Sequence, residues 1–183
     1  YTVSVYEKAI DDAHSDIVDF TNGVKDLPQG WYTTSTLSYA MTSYSGNDKP
    51  AIRFSNNDYI ESPSYSDEIR SLSFWHRGSK ASADNSISVK CAPASGRFST
   101  FATYDITNDA GGRTITIENL PEGTRKVRIS YLMPGTGSLA LDDIHIIWGG
   151  TERRFNEKKQ VTAANVTSCA FDGLRQSTDY YYR

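Results

Sequence analysis

Apolar and polar residues alternate along most of the chain in short runs that turn residues separate. Alternation with a period of two places every second side chain in a core and is typical of half-buried β-strands. Glycine-rich breaks such as 109–112 and 134–137 end these runs. The pattern therefore predicts an all-β chain with strands at 2–7, 16–20, 38–43, 51–54, 58–62, 71–77, 85–91, 97–103, 113–118, 126–132, 138–148, 166–171 and 178–183.

The alternation also predicts which face of each strand is buried. In the 71–77 strand, Leu72 and Phe74 share one face, and Trp75 lies on the other. Val127 and Ile129 likewise point inward from the 126–132 strand, together with the next alternate residue, a tyrosine. These residues are expected to pack between two sheets of a sandwich.

The 138–148 strand changes phase part of the way along. Its apolar residues are at odd positions up to Leu141 and at even positions from Ile144 onward. A strand changes phase only through a bulge or a twist, so the pattern predicts an irregularity at Asp142 and Asp143. Two carboxylates at such a place either bind a cation or cap exposed backbone amides.

The two ends differ from the middle. Residues 1–6 form a complete alternating strand, the charged 151–160 segment is predicted to be a loop or linker, and 178–183 is the start of another strand. Both ends are therefore interpreted as pieces of a neighbouring sandwich module. They are expected to complete one another within the chain or between chains, and their unpaired edges would allow dimerisation.

Composition narrows the function. The 183 residues include 19 basic and 22 acidic side chains, a net charge of −3, which does not favour binding to nucleic acid. The apolar runs are too short to span a bilayer. Ser (22) and Thr (17) are abundant, whereas Leu (8) is scarce, which favours strands over helices. Cys91 and Cys169 are too few for a disulfide framework and are expected to be free thiols.

An ordered set of motifs resembles the choice-of-anchor J or cleaved-adhesin domains, which are jelly-roll β-sandwiches. The match covers about residues 16–148 and includes the "LP-x-GW" opening, a hairpin, an "LSFWYKG"-like strand and the closing pair of strands. In this sequence the motifs read LPQGW at 27–31, AIRF at 51–54, YIESP at 59–63, LSFWHRG at 72–78, GTRKVRISY at 123–131 and LALDDI at 139–144.

The flanks resemble parts of fibronectin type III modules. The resemblances imply three parts: the end of a preceding fibronectin-like module at 1–15, a jelly-roll sandwich at 16–149, and a linker with a partial fibronectin-like module at 150–183. Proteins that alternate these modules are secreted or surface products of Bacteroidetes-type bacteria. The resemblance therefore implies an extracellular or outer-membrane-associated location, next to other modules of the same polypeptide.

The resemblance also implies a structural calcium ion as the candidate cofactor. Its ligands in similar jelly rolls come from an early acidic strand and from the late Asp-Asp pair, which here is Asp142 and Asp143. The usual "F-E" of the early strand reads Phe20-Thr21, so that Asp19 is the nearest carboxylate. Calcium takes six to eight oxygen ligands, which carbonyls or water would have to complete. The alternative is that the acidic pair caps the bulge.

Aromatic residues are the second candidate site. If the outer face of the 71–77 strand is exposed, Trp75 and Arg77 among serines would suit a sugar, and Trp31 and Tyr32 could add a second stacking surface. The alternative is that loops or another module cover Trp75 and that Trp31 plugs one end of the sandwich.

No motif of a catalytic site is present, since the chain lacks a nucleophile elbow, a zinc-binding His-Glu-x-x-His and a phosphate-binding loop. Domains of the family that the chain resembles serve adhesion or accompany a catalytic module. The resemblance therefore implies a non-catalytic binding or adhesion module, which we expect to recognise glycans or a host surface protein. The alternative is a structural spacer, or an accessory domain attached to a secreted hydrolase.

Overall fold

The structure is a computed structural model that describes residues 2–10, 12–55, 57–150, 152–161, 163 and 167–182. It divides into two compact units, which are described separately: a larger one at 14–149, and a smaller one formed by 1–13 with 150–183.

The larger unit is an antiparallel β-sandwich. Its strands are β2 (Ala13–Val18), β3 (Tyr32–Thr33), β4 (Leu37–Tyr39), β5 (Ala51–Phe54), β6 (Tyr59–Glu61), β7 (Ile69–Ser79), β8 (Ser86–Ala92), β9 (Ser99–Asp105), β10 (Arg113–Ile117), β11 (Lys126–Leu132) and β12 (Ser138–Gly149). One short 3₁₀-helix spans Thr42–Tyr44. No helix in the described part of the chain is long and apolar enough to cross a membrane.

The strands form two sheets that enclose one core. The first sheet has the order β10-β7-β12-β5-β4, with β2 also paired to β12, and the second has the order β3-β6-β11-β8-β9. Long central strands pair over most of their length, whereas β3 and β4 are short edge strands. The all-β sandwich predicted from the alternation is confirmed.

The predicted inward faces are buried. Leu72 and Phe74 are fully buried on β7, and Val127 and Ile129 are 1% exposed on β11. One apolar cluster joins them with residues of both sheets, including Cys91, whose thiol pKa burial raises. Because the alternate residues face away from this cluster, each sheet has an outer face that is free to carry function.

The predicted phase change on β12 is a bulge. The pairing of β12 with β7 slips between Asp142 and His145, and Asp143 has a positive φ of 47°. The left-handed backbone at a non-glycine residue turns the strand, so that Leu141 and Ile144 both face the core.

The smaller unit corrects two predictions. The expected 151–160 linker is a strand, β13 (Glu152–Val161), which pairs antiparallel with β1 (Thr2–Ile10). The expected strand at 166–171 is not formed at its described residues, 167–171. Of the strand expected at 178–183, the described residues form only β14 (Tyr181–Tyr182), which pairs with β1 at Val5 and Tyr6. The charged residues of this segment favoured the prediction of a linker. They are compatible with a strand because β13 lies at the edge of its sheet, where charged side chains are common.

A buried histidine lies on the inner face of the first sheet. His76 follows Leu72 and Phe74 on β7, is fully buried, and has no hydrogen-bond partner at either ring nitrogen among the described residues. Burial, with a smaller effect of the Arg113 charge, lowers its pKa to about 4. In the folded protein this imidazole is therefore neutral at pH values above about 4.

We expect His76→Leu to make the sandwich less sensitive to acid. In the native protein, stability is complete above the unfolded-state pKa of 6.5 and falls as the pH drops toward the folded-state pKa of about 4. Urea unfolding at pH 7 and pH 5 should show a relative gain for the variant of about 2 kcal/mol at the lower pH. The exposed His14→Leu is the control, and parallel pH profiles for wild type and His76→Leu would contradict the assignment.

Candidate functional site

The outer face of the first sheet carries the candidate groove. Ser73 and Trp75 lie on this face of β7, opposite to the buried Leu72 and Phe74. Thr114 of the edge strand β10 pairs directly with Trp75, which places the two side chains next to each other.

Trp75 is not an open stacking surface. It is 8% exposed, and its indole N–H donates a hydrogen bond of 3.1 Å to the Gly111 carbonyl. The Gly112 backbone lies against the ring, since a Cβ atom there would be 2.3 Å from Trp75 Cζ2. Of the two arrangements left open by the sequence, the structure has the one in which loops cover Trp75: the loop before β10 covers most of the ring and leaves one edge accessible.

The 40–50 segment folds over the same face beside Trp75. The rings of Tyr39 and Tyr44 stack at 4.6 Å, and the Arg77 guanidinium lies 4.3 Å from the centre of the Tyr44 ring. Arg77 also donates a hydrogen bond to the Ser43 carbonyl. It therefore holds this segment on the sheet, a structural contact that its position in the sequence did not indicate.

The acidic pair holds the far end of that segment. Asp142 Oδ2 accepts a hydrogen bond of 2.9 Å from the Gly46 amide, and Asp143 Oδ2 accepts one of 2.8 Å from the Asn47 amide. Asp142 Oδ1 also accepts from the Asp143 amide at 2.9 Å, within the bulge itself. The two carboxyl groups together accept three backbone amide hydrogen bonds, so the pair caps the bulge and also fixes the loop.

Burial dominates the electrostatics of the pair. It raises the pKa of the fully buried Asp142 to about 7, with smaller contributions from the charges of Asp143 and Asp19, while the Gly46 amide opposes the shift. The pKa of Asp19 is lowered because its carboxylate accepts a hydrogen bond of 3.0 Å from the Thr21 amide.

The predicted calcium ligands do not converge. In the described ranges, no group of three or more His, Cys, Asp or Glu side chains is placed to share a metal ion. Asp142, Asp143 and Asp19 are each directed at backbone amides instead. The set as it stands does not fit the many oxygens that calcium requires, and calcium at these residues stays a prediction.

Between the covering loops an open groove remains, with a volume of about 490 Å³. We call it the outer groove. Exposed Thr114 and Asn47 lie on its walls, and Ile17, 60% exposed, supplies an apolar side. Its lining consists of Ile17, Gly46, Asn47, Ser73, Trp75, Thr114, Asp143 and His145. Hydroxyls, an amide, a carboxylate and an imidazole thus surround one aromatic edge.

The other two predicted ligand residues lie elsewhere. Trp31 is 8% exposed, belongs to the core cluster, and donates a hydrogen bond of 2.8 Å from its indole to Asp16 Oδ2. The buried Tyr65 hydroxyl donates to the same oxygen at 2.9 Å, and burial together with the Asp16 charge raises the Tyr65 pKa. Tyr32 is 55% exposed and lies on β3 of the second sheet. The four predicted ligand residues therefore do not form one site.

Sequence reasoning missed most of the groove. Thr114, His145 and Asn47 come from β10, β12 and a loop, and only the pairing of β10 and β12 with β7 brings them beside Trp75. A usable signal existed for Thr114, because it alternates with the inward residues Ile115 and Ile117 and so must face outward.

Comparisons with solved structures show a cleaved-adhesin-like fold. The chain is similar to the K1 cleaved adhesin domain of Lys-gingipain from Porphyromonas gingivalis, with 17% identity over 73% of this chain and 97% of that one and a TM-score of 0.57. The K2 cleaved adhesin domain of Lys-gingipain gives 12% identity over 73% and 99% of the two chains, with a TM-score of 0.56. The CBM22-1 xylan-binding domain of Xyn10C from Paenibacillus barcinonensis gives 14% identity over 77% and 96%, with a TM-score of 0.51.

No protein-family model matches the chain, and no curated protein matches it. At 12–17% identity the structural likeness establishes the fold alone. The cleaved-adhesin-like fold inferred from the motifs is thus confirmed, whereas the choice-of-anchor J assignment and the fibronectin-like flanks stay predictions.

We expect Gly46→Ala to break the contact between the acidic pair and the loop. The added Cβ would lie 1.9 Å from Asp143 Oδ2, so that the carboxylate and the loop must separate. The loss should be about 1–3 kcal/mol of unfolding free energy, measured by denaturant unfolding. Gly111→Ala is the matched control, because nothing lies within 4 Å of its Cβ position. Equal stability of the two variants would show that the pair does not hold the loop.

The calcium prediction has a direct thermal test. If Asp142 and Asp143 bind the ion, adding calcium after chelation should raise the Tm, and an Asp143→Asn variant should respond less. An unchanged melting curve would leave the carboxylates with the capping role alone.

Proposed function

We propose that this chain is a non-catalytic recognition module, displayed outside a bacterial cell, that binds a neutral glycan in the outer groove. The observation that carries the proposal is the composition of the groove. Ser73, Thr114 and Asn47 present polar groups, and the Trp75 edge with Ile17 presents apolar surface. A sugar has the complementary combination of hydroxyls and apolar C–H faces, and ligand sites generally combine a few polar groups with apolar lining.

Asp143 and His145 would orient a bound sugar through hydrogen bonds. A carboxylate only accepts hydrogen bonds, and an imidazole both donates and accepts. Asp143 is already fixed by the Asn47 amide, so that binding would not have to immobilise it. A preorganised acceptor of this kind supports recognition of a hydroxyl pair on a sugar ring.

The names of the similar solved structures support this proposal. The similar solved structures are described as cleaved adhesin domains and as a xylan-binding domain. Adhesion and glycan binding both imply an extracellular location, which we extend to this chain together with a jelly-roll at 16–149 and partial fibronectin-like modules at 1–15 and 150–183. Other modules of the same polypeptide are then its expected neighbours.

The burial of Trp31 and Trp75 favours a second candidate function, that of a structural spacer or accessory domain. Each is 8% exposed and has its indole N–H satisfied inside the protein. Such a module would use its aromatic residues for stability and would bind no glycan.

A glycan array with variants of the groove separates the two functions. We expect saturable binding that His145→Ala weakens about fivefold to tenfold, the effect of one lost hydrogen bond. Thr114→Tyr should weaken binding strongly, because the larger side chain projects into the groove beside Trp75. His14→Ala and Thr103→Tyr are the matched controls, an exposed histidine and an exposed threonine of another edge strand. A blank array, or equal effects of variants and controls, would favour the spacer.

A further inference from the structure

The second sheet carries an aligned row of large side chains on its outer face. Register pairs Tyr32 with Glu61, Glu61 with Arg128, Arg128 with Lys90, and Lys90 with Thr100. Directly paired residues project from the same face, so these five side chains form a line across all five strands. At a strand spacing of about 4.8 Å, the line is about 19 Å long. We call it the cationic row.

Arg128 is held rigidly at the centre of the row. Its guanidinium lies 4.2 Å from the centre of the Tyr59 ring and 4.3 Å from that of Phe98. Its Nε and Nη2 both donate to Glu61 Oε2, at 3.1 and 2.7 Å. Stacking and hydrogen bonding fix the plane of the guanidinium. Its remaining N–H donors have no hydrogen-bond partner among the described residues and can face a ligand.

The row has more positive than negative charge. Lys90 lies directly opposite Arg128, and Lys126, two residues before Arg128, lies on the same face with its ammonium 5.2 Å from the centre of the Phe98 ring. Across the described part of the chain, neither lysine has a carboxylate partner, and Glu61 is the only acid in the row. Arg128 and Lys90 against Glu61 leave the row one positive charge, and Lys126 beside the row adds a second, in a chain whose net charge is −3. Asp105 also projects from this face, because it pairs with Ser86, which lies four residues before Lys90 on β8.

Like charges placed opposite each other on a sheet destabilise it unless something compensates them. Lys90 and Arg128 are in this arrangement, and Glu61 offsets one charge only. A bound anion would offset the rest, so the row is complementary to a ligand with repeated negative charges.

An aromatic surface adjoins these charges. Tyr32, 55% exposed, ends the row, and its ring lies 5.9 Å from that of Tyr59. Tyr32 lies two strands from Arg128 and three strands from Lys90. This spacing suits an extended ligand that has a flat apolar face at one end and acidic groups further along. A nucleic acid would require many neutralised phosphates, which a single short row does not supply.

We propose that the cationic row binds an acidic polysaccharide, a chain of sugars with carboxylate or sulfate groups. A sugar ring would stack on Tyr32, and its neighbours would place acidic groups on Arg128, Lys90 and Lys126. The row and the outer groove lie on opposite outer faces of the sandwich, because the two sheets pack through their inner faces. This site is therefore independent of the function proposed for the groove.

Binding to four immobilised polymers tests the proposal: polygalacturonate, dextran sulfate, uncharged dextran and single-stranded DNA. We expect binding to an acidic polysaccharide, none to dextran, and weakening by added salt. The preferred polymer, carboxylated or sulfated, identifies the acidic group. Lys90→Gln and Lys126→Gln should each weaken binding about twofold to fivefold, and Tyr32→Ala should also weaken it.

Lys80→Gln is the matched control, because Lys80 is an exposed lysine of the same unit outside the row. His145→Ala should leave this binding unchanged, which separates the result from the test of the groove. The proposal is overturned if neither acidic polysaccharide binds, if Lys80→Gln weakens binding as much as Lys90→Gln, or if DNA binds more tightly than both polysaccharides.

Discussion

The hydrogen bonds from the Gly46 and Asn47 amides to Asp142 and Asp143 are the constraint on which the first sheet's outer face depends. They satisfy the donors of a loop with carboxylates at a bulge, 96 positions away in sequence. The same bulge reverses the phase of β12, so that Leu141 and Ile144 both reach the core. One local irregularity thus serves both the packing and the shape of the groove.

The loop held in this way limits what the sheet can present. Tyr44 and Arg77 stack where the 40–50 segment crosses the sheet, and Gly112 closes over Trp75 from the other side. The outer groove is the space between the 40–50 segment and the loop before β10. Asp143 and His145 of β12 line it. Its polar character follows from the outward alternation of β7, β10 and β12, since the inward positions are already taken by the core.

The two outer faces of the sandwich have different chemistry. On the first sheet, loops cover the large aromatic residue and leave hydroxyls and one fixed carboxylate accessible. On the second, Tyr32 is 55% exposed, and stacked rings hold the Arg128 guanidinium in place. A sandwich can present two such surfaces because its core requires only the inner half of each strand.

The alternation of apolar and polar residues was sufficient to predict the all-β sandwich, the buried faces of β7 and β11, and the bulge at Asp142 and Asp143, because strand periodicity is a local property. It did not predict the β13 strand, whose charged residues pair with β1 from the far end of the chain. It left open whether Trp75 is covered, and it did not predict that Arg128 stacks between Tyr59 and Phe98. Those features depend on which strands become neighbours and on where loops cross them, and only long-range contacts in the folded chain determine both.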